Sequence, residues 1–212
     1  EHDVAAIGSG EPDGWEIIQF RTAELTGPDV WRLTGLLRGQ FGTDALVPDI
    51  LSTGAFFVLL DGTARQIALA SSLRGQARHY RIGPADKPFD HAAYKHEVQV
   101  FAGLGLRPYS PVHLRAYKSA GDVSVSWIRR ARLDADSWDL TEIPLGEDRQ
   151  AYTLRVLVEG AVVRSVDLTA PGWVYTAAMQ ADDGVAGTVD IEVAQVSDRF
   201  GEGPVSRVMV FV

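Results

Sequence analysis

The sequence predicts an all-β protein in two parts: an N-terminal antiparallel β-barrel or sandwich, then a seven-stranded β-sandwich. Three observations predict it. Apolar and polar residues alternate in short runs, the two-residue period of a strand with one buried face. Turn-forming residues punctuate those runs throughout, with 21 Gly and 10 Pro in 212 residues. No helical period persists over any length.

Composition bounds the function classes. Hydrophobic residues make up 46% of the chain, enough for packed cores and too many for disorder. A net charge of -8 disfavours nucleic acid and anionic membrane surfaces as partners, although Arg129, Arg130 and Arg132 cluster locally. With no Cys there is no disulfide, no thiolate zinc site and no cysteine nucleophile. No apolar run is long enough to span a bilayer, so no transmembrane segment is expected. The start, Glu1-His2-Asp3-Val4, has no initiator Met and no signal-peptide character, and the chain reads as the C-terminal piece of something larger.

Taken in order, residues 1–14 are glycine- and acid-rich (Gly8-Ser9-Gly10-Glu11-Pro12-Asp13-Gly14) and read as a linker or loop. A phosphate loop would need a following Lys-Ser/Thr and an opening helix, and neither is present. Residues 15–25 read as a first strand, Gly27-Pro28-Asp29 as a turn, and 30–38 as the strand that pairs back. In that second strand Trp31, Leu33 and Leu37 share one face, and Arg32, Thr34 and Arg38 the other. Gly39-Gln40-Phe41-Gly42 then forces a tight turn. Pro48 stops any helix begun at Asp44-Ala45-Leu46. The unbroken apolar run 55–60 is expected to be a buried strand closed by an Asp61-Gly62 hairpin turn. Residues 67–70, 77–82 and 96–101 are further strands, the last with Val98 and Val100 inward. This part, 15–108, ends at Leu106-Arg107-Pro108-Tyr109-Ser110-Pro111, where two prolines stiffen an extended connector.

The second part, 109–212, shows seven runs at 112–117, 123–128, 152–158, 162–168, 173–179, 189–194 and 208–211. Alternation and turn signals throughout are the sandwich pattern. An acidic loop, 133–147, interrupts it.

Two stretches carry a resemblance. Trp15-Glu16-Ile17-Ile18-Gln19-Phe20, followed by Leu36-Leu37-Arg38-Gly39-Gln40-Phe41-Gly42-Thr43, resembles the WE-x-x-QF … L-x-x-LLRGQ-x-GT signature of phage-tail host-specificity proteins. It is most similar to the C-terminal region of the baseplate, or tail-tip, proteins of gene transfer agents. Residues 109–212 resemble a fibronectin type III module, from Pro111 through Trp127 and Tyr152 to Gly201-Glu202-Gly203-Pro204. The sixth strand departs from that family, with Val189 or Ile191 where a tyrosine is usual. The resemblance implies a structural and adhesive role, mediating tail assembly and host-envelope recognition. It implies other tail and baseplate proteins as partners, and a homo-oligomer in the assembled particle. It also implies a host surface polysaccharide or envelope receptor. The location implied is the tail tip of a phage-like particle, assembled in the cytoplasm and extracellular after release. Cell-wall-degrading domains of such proteins lie upstream of these residues, so no enzymatic activity and no cofactor are expected.

Each candidate for chemistry has a plainer role beside it. Asp134, Asp136, Asp139 and Glu142 offer oxygen ligands for calcium, but lack EF-hand spacing and read as a solvated loop. His79, His91, His96 and His113 show no paired metal-ligand spacing. No carboxylate pair stands out for glycoside hydrolysis. Ser71-Ser72 lies in no nucleophile elbow. Arg74, Arg78 and Arg81, interleaved with His79 and Tyr80, offer a basic and aromatic grip for an acidic polysaccharide or a subunit, with a solvated face as the plain reading. Trp15, Trp31 and Trp127 are most simply core. Trp138 and Trp173 are the tryptophans expected to reach solvent, where a ring stacks on sugars or docks into a partner. The binding candidates are therefore Arg78, Tyr80, Trp138 and Trp173, with no catalytic or metal residue. The alternative function is an ancillary carbohydrate-binding module of a larger cell-wall-active protein, with a bacterial adhesin built on fibronectin-like modules a third.

Overall fold

A computed structural model describes residues 3–11, 14–133, 139 and 143–212. Its described residues form strands in several antiparallel sheets, with little helix and no closed barrel. They divide into two compact units, Glu1–Gly105 and Leu106–Val212.

The first unit contains β1 (Asp3–Gly8), β2 (Trp15–Phe20), β3 (Thr22–Gly27), β4 (Val30–Thr34), β5 (Leu37–Gln40), β6 (Phe56–Leu59), β7 (Ala77–Ile82) and β8 (Lys95–Val100). Four of these make one sheet in the order β5-β2-β1-β6, while β3–β4 and β7–β8 are separate hairpins. The linker expected over 1–14 is corrected here: β1 is an inner strand, paired to β2 on one side and β6 on the other. Its Val4-Ala5-Ala6-Ile7 run is apolar on both faces, so it carries no alternation to read.

The single strand expected over 15–25 also breaks, at Arg21. Gly35 lies opposite, with φ +68°, and a Cβ there would stand 2.8 Å from Arg21 Cβ. The bare glycine lets the chain pivot, and β3–β4 leaves the sheet as a hairpin of its own. The run 55–60 is not a buried strand. It is the sheet's edge, and Phe56, Phe57, Val58, Leu59 and Leu60 are all exposed. Residues 67–70 form no strand, and Val98 and Val100 are exposed where an inward face was expected. Trp31, expected in the core, is 59% exposed.

The core of this unit is correspondingly small. Ala5, Ile18 and Phe20 are its buried apolar residues, with Ile7 and Leu33 packed against them.

The second unit contains β9 (Val112–Ser119), β10 (Asp122–Ile128), β11 (Tyr152–Val158), β12 (Ala161–Leu168), β13 (Gly172–Tyr175), β14 (Thr188–Ser197) and β15 (Gly201–Phe211), with one short helix, α1 (Ala177–Asp182). A three-stranded sheet, β13-β10-β9, faces a four-stranded sheet, β12-β11-β14-β15, giving the seven-stranded fibronectin type III-like sandwich. Alternation builds it: Val123, Val125 and Trp127 point in from β10, and Leu154 and Val156 from β11. Val189, Ile191 and Val193 do the same from β14, so aliphatic side chains fill the space at the sixth strand. Trp127 packs edge-to-face on Tyr152, with ring centroids 5.2 Å apart.

The strand expected over 173–179 stops at Tyr175. Thr176 caps α1 by accepting from the Met179 N–H at 3.2 Å, and Ala-Ala-Met-Gln-Ala favours helix. Just past α1, Asp183 accepts from Arg164 Nε and Nη2 at 2.7 and 2.8 Å and from the Tyr175 hydroxyl at 2.6 Å. This ties β12 of one sheet to β13 of the other. The Arg164 hydrogen bond, and then that of Tyr175, hold the Asp183 carboxyl below its ordinary 3.8. A depressed folded pKa contributes stability that is present above the unfolded value and is lost as pH falls through the folded one. The sandwich is therefore expected to lose stability as pH drops below about 4, an effect that Asp183→Asn reduces. Urea midpoints against pH for both proteins check this; identical slopes would contradict it.

Candidate functional site

The signature stretch comes together at the β2–β5 edge. Ile17 pairs with Gln40 and Gln19 with Leu37, so Ile18 alone stands opposite Arg38 and Gly39. That extra residue is a bulge, and it turns Arg38 toward the face of the sheet that carries Glu16, Ile18 and Phe20. Arg38 Nε and Nη2 donate to the two Glu16 oxygens at 2.5 and 2.6 Å, and the Gly39 N–H donates to Oε1 at 2.9 Å. The Glu16 side chain is 2% exposed. This pairing raises the Arg38 pKa further above its already high value.

Thr43 completes the corner, accepting from the Ile17 N–H at 2.9 Å and donating to Gln40 O at 2.7 Å. Gly39 has φ +61°, and a Cβ would sit 2.7 Å from Asp44 Cα. Glu16, Arg38, Gly39, Gln40 and Thr43 thus act as a clasp that fixes β5 to β2. The hydrogen bonds described here run within the clasp or to the Ile17 N–H of β2, which makes the signature a folding element.

A groove lies elsewhere in the same unit. Residues directly opposite one another in β7–β8 share a face, so Arg78, Tyr80, Ile82, Lys95, Glu97 and Gln99 lie on one side, and His79, Arg81, His96 and Val98 on the other. Tyr80, Ile82, Glu97 and Gln99, with Phe101, form one wall of a groove of about 330 Å³. Trp15, Gly10 and Ile67 form the remainder. Tyr80 and Phe101 meet edge-to-face at 6.0 Å, and Trp15 leans on Phe56 at 6.5 Å.

The structure brings two of the four binding candidates together. Arg78 and Tyr80 share a face, and Tyr80 lines the groove. The basic run is split, however: Arg81 covers the Phe89 ring at 4.8 Å and donates to Phe89 O at 3.0 Å, on the opposite side. Trp173 is in the sandwich, half-buried against its core and stacked on Tyr175 at 5.3 Å. Trp138 lies outside the described residues, as do Asp134, Asp136 and Glu142 of the acidic loop.

The Arg129–Arg132 cluster is used within the sandwich unit. Arg129 donates to Pro144 O at 2.9 Å and to Ile143 O, Arg130 covers Tyr109, and Arg132 pairs with Glu147. His79 and His96 stack, with Nδ1 and Nε2 2.9 Å apart. Among the described residues no three His, Cys, Asp or Glu side chains converge as metal ligands. No helix among them is long and apolar enough to cross a membrane.

Trp15, Phe101, Glu97 and Gln99 were missed as site residues. Trp15 and Tyr80 are far apart in sequence, and nothing local signals that they face one groove.

Residues 1–58 match the family described as Rcc01698-like, C-terminal. The match takes in the whole clasp and ends inside β6, leaving β7–β8 and the sandwich outside it. No curated protein matches the chain. Among solved structures, the spore cortex lytic enzyme SleM of Clostridium perfringens shares 14% identity at a TM-score of 0.32. That alignment covers 50% of this chain and 28% of SleM. Domains d3–d4 of the rat CD45 extracellular region share 9% at 0.34, covering 89% and 94%. A β-1,2-glucanase from Parabacteroides distasonis shares 10% at 0.29, covering 100% and 28%. The chain thus spans little more than a quarter of either enzyme's length, and likenesses this distant carry no argument about activity.

Proposed function

We propose that this chain is a structural and adhesive segment of a phage-like tail tip or baseplate, which assembles with other tail proteins and with copies of itself and meets the host envelope. The role is non-enzymatic. One observation carries the assembly half: the first unit leaves more large apolar side chains in solvent than it buries. Leu25 and Trp31 face each other across β3–β4, both exposed, and Phe41, Ile50, Phe56 and Phe57 add to them. Apolar surface on that scale marks a face that another protein covers. The resemblance of the clasp stretch to tail host-specificity proteins supplies the setting.

The test is a Leu25→Ser, Trp31→Ser double variant in a particle that carries this protein. Both side chains point to solvent, so the strands should form unchanged. Incorporation of the variant into assembled tails is expected to fall severely. Incorporation equal to the parent, measured on purified particles, would overturn the assembly reading.

A further inference from the structure

We propose that the groove between Trp15 and the β7–β8 hairpin binds a neutral saccharide chain. The inference rests on the adhesive half of the reading above and names the chemistry that half would recognise. Three aromatic rings line the groove, from Trp15, Tyr80 and Phe101. The same lining carries one carboxylate, Glu97, and one primary amide, Gln99, two residues apart on the same face of β8. That spacing sets the two polar groups roughly 7 Å apart along the strand. The combination of flat apolar faces with a strong acceptor and a mixed donor–acceptor suits a pyranose. Its C–H faces stack on rings, and its hydroxyls both donate and accept.

Other occupants fit less well. A wholly apolar ligand would cover Glu97 and Gln99 without giving either a hydrogen-bond partner, which is costly for the charged group above all. An anionic polymer would meet the Glu97 carboxylate in the groove itself, whereas Arg78 and Lys95, the cations on the same hairpin face, are not part of the lining. A peptide adding a strand needs an unpaired edge, and this wall presents the side-chain face of a paired hairpin. A quaternary ammonium group would use the rings and Glu97 but not Gln99, and it prefers an enclosed cage. Here Ile82 and Phe101 stay open to solvent. The volume, about 330 Å³, is at the lower end of small-ligand sites. A groove of this size holds a short piece of a chain.

The experiment screens the full chain against immobilised neutral oligosaccharides, with sialylated glycans and choline as comparators. Positive glycans are then titrated calorimetrically. The expected result is binding to neutral glycans, weakened roughly tenfold or more by Tyr80→Ala and by Glu97→Gln. Glu97→Gln keeps the shape and the exposed position, so its effect is read without a folding defect. His79→Ala, on the far face of the same hairpin, should bind as the parent does. No neutral glycan bound, binding unchanged in both groove variants, or choline bound in place of sugar would each overturn the site. Tail incorporation is read separately. A chain that assembles but binds no glycan sinks this inference alone, and one that binds glycan but is not incorporated sinks the assembly reading alone.

Discussion

Arg38→Ala is expected to destabilise the first unit by about 3 kcal/mol, the low end of the range for stripping one partner from a buried ion pair. The reasoning starts from Glu16. Its side chain is 2% exposed, and three of its contacts are donors from one place: Arg38 Nε, Arg38 Nη2 and the Gly39 N–H. Truncating Arg38 leaves a carboxylate against Ile18 and Phe20 with one hydrogen bond and no countercharge. The low end is appropriate because Arg38 itself is 37% exposed, and water screens the pair. Arg38→Lys should recover only part of the loss, since an ammonium cannot span both oxygens as the guanidinium fork does. Chemical denaturation followed by the amide signals of β1 and β2 reads the effect. An unchanged midpoint would mean that the clasp holds nothing, and the signature would need a role in binding instead.

Trp127→Ala should cost the sandwich about 3–5 kcal/mol, the usual loss for a large aromatic removed from a packed core. Trp127 is 4% exposed and rests edge-to-face on Tyr152, which is itself buried. Leu154, Val156 and Ile191 surround the same space and are fully buried, so β-sheet side chains cannot swing far to fill the cavity. Trp127→Phe keeps the ring contact and should lose much less. Thermal melts of the two variants separate these outcomes, and a Trp127→Ala protein that melts with the parent would show that the core is not where Trp127 sits.

The sandwich was legible in the sequence because strands such as β10 have one face in the core and one in water. That condition writes itself as alternation, and Val123, Val125 and Trp127 could be placed together from spacing alone. The first unit broke the same rule in both directions. β1 is apolar on both faces and hid in a glycine-rich start, while the apolar run of β6 promised burial and lies exposed at an edge. Hydropathy alone cannot separate a strand covered by its own chain from one left for a partner. The clasp was visible as a pattern but not as physics, because no spacing in the sequence says that Glu16 of β2 and Arg38 of β5 meet. α1 was missed for a simpler reason: Thr176 and the Ala-rich run after it are a helix start, overruled by the aromatic strand before them. The groove had no local signal at all, since it needs Trp15 and Tyr80 to be placed in space.

The central claim is that the first unit cannot close a core by itself and relies on surfaces another protein covers. Amide hydrogen exchange on the isolated chain tests it most directly. The prediction is slow exchange in β10, β11 and β14, intermediate exchange in β1 and β2, and fast exchange in β3–β4, β6 and β7–β8. Protection of β6 and both hairpins equal to that of the sandwich strands would contradict it.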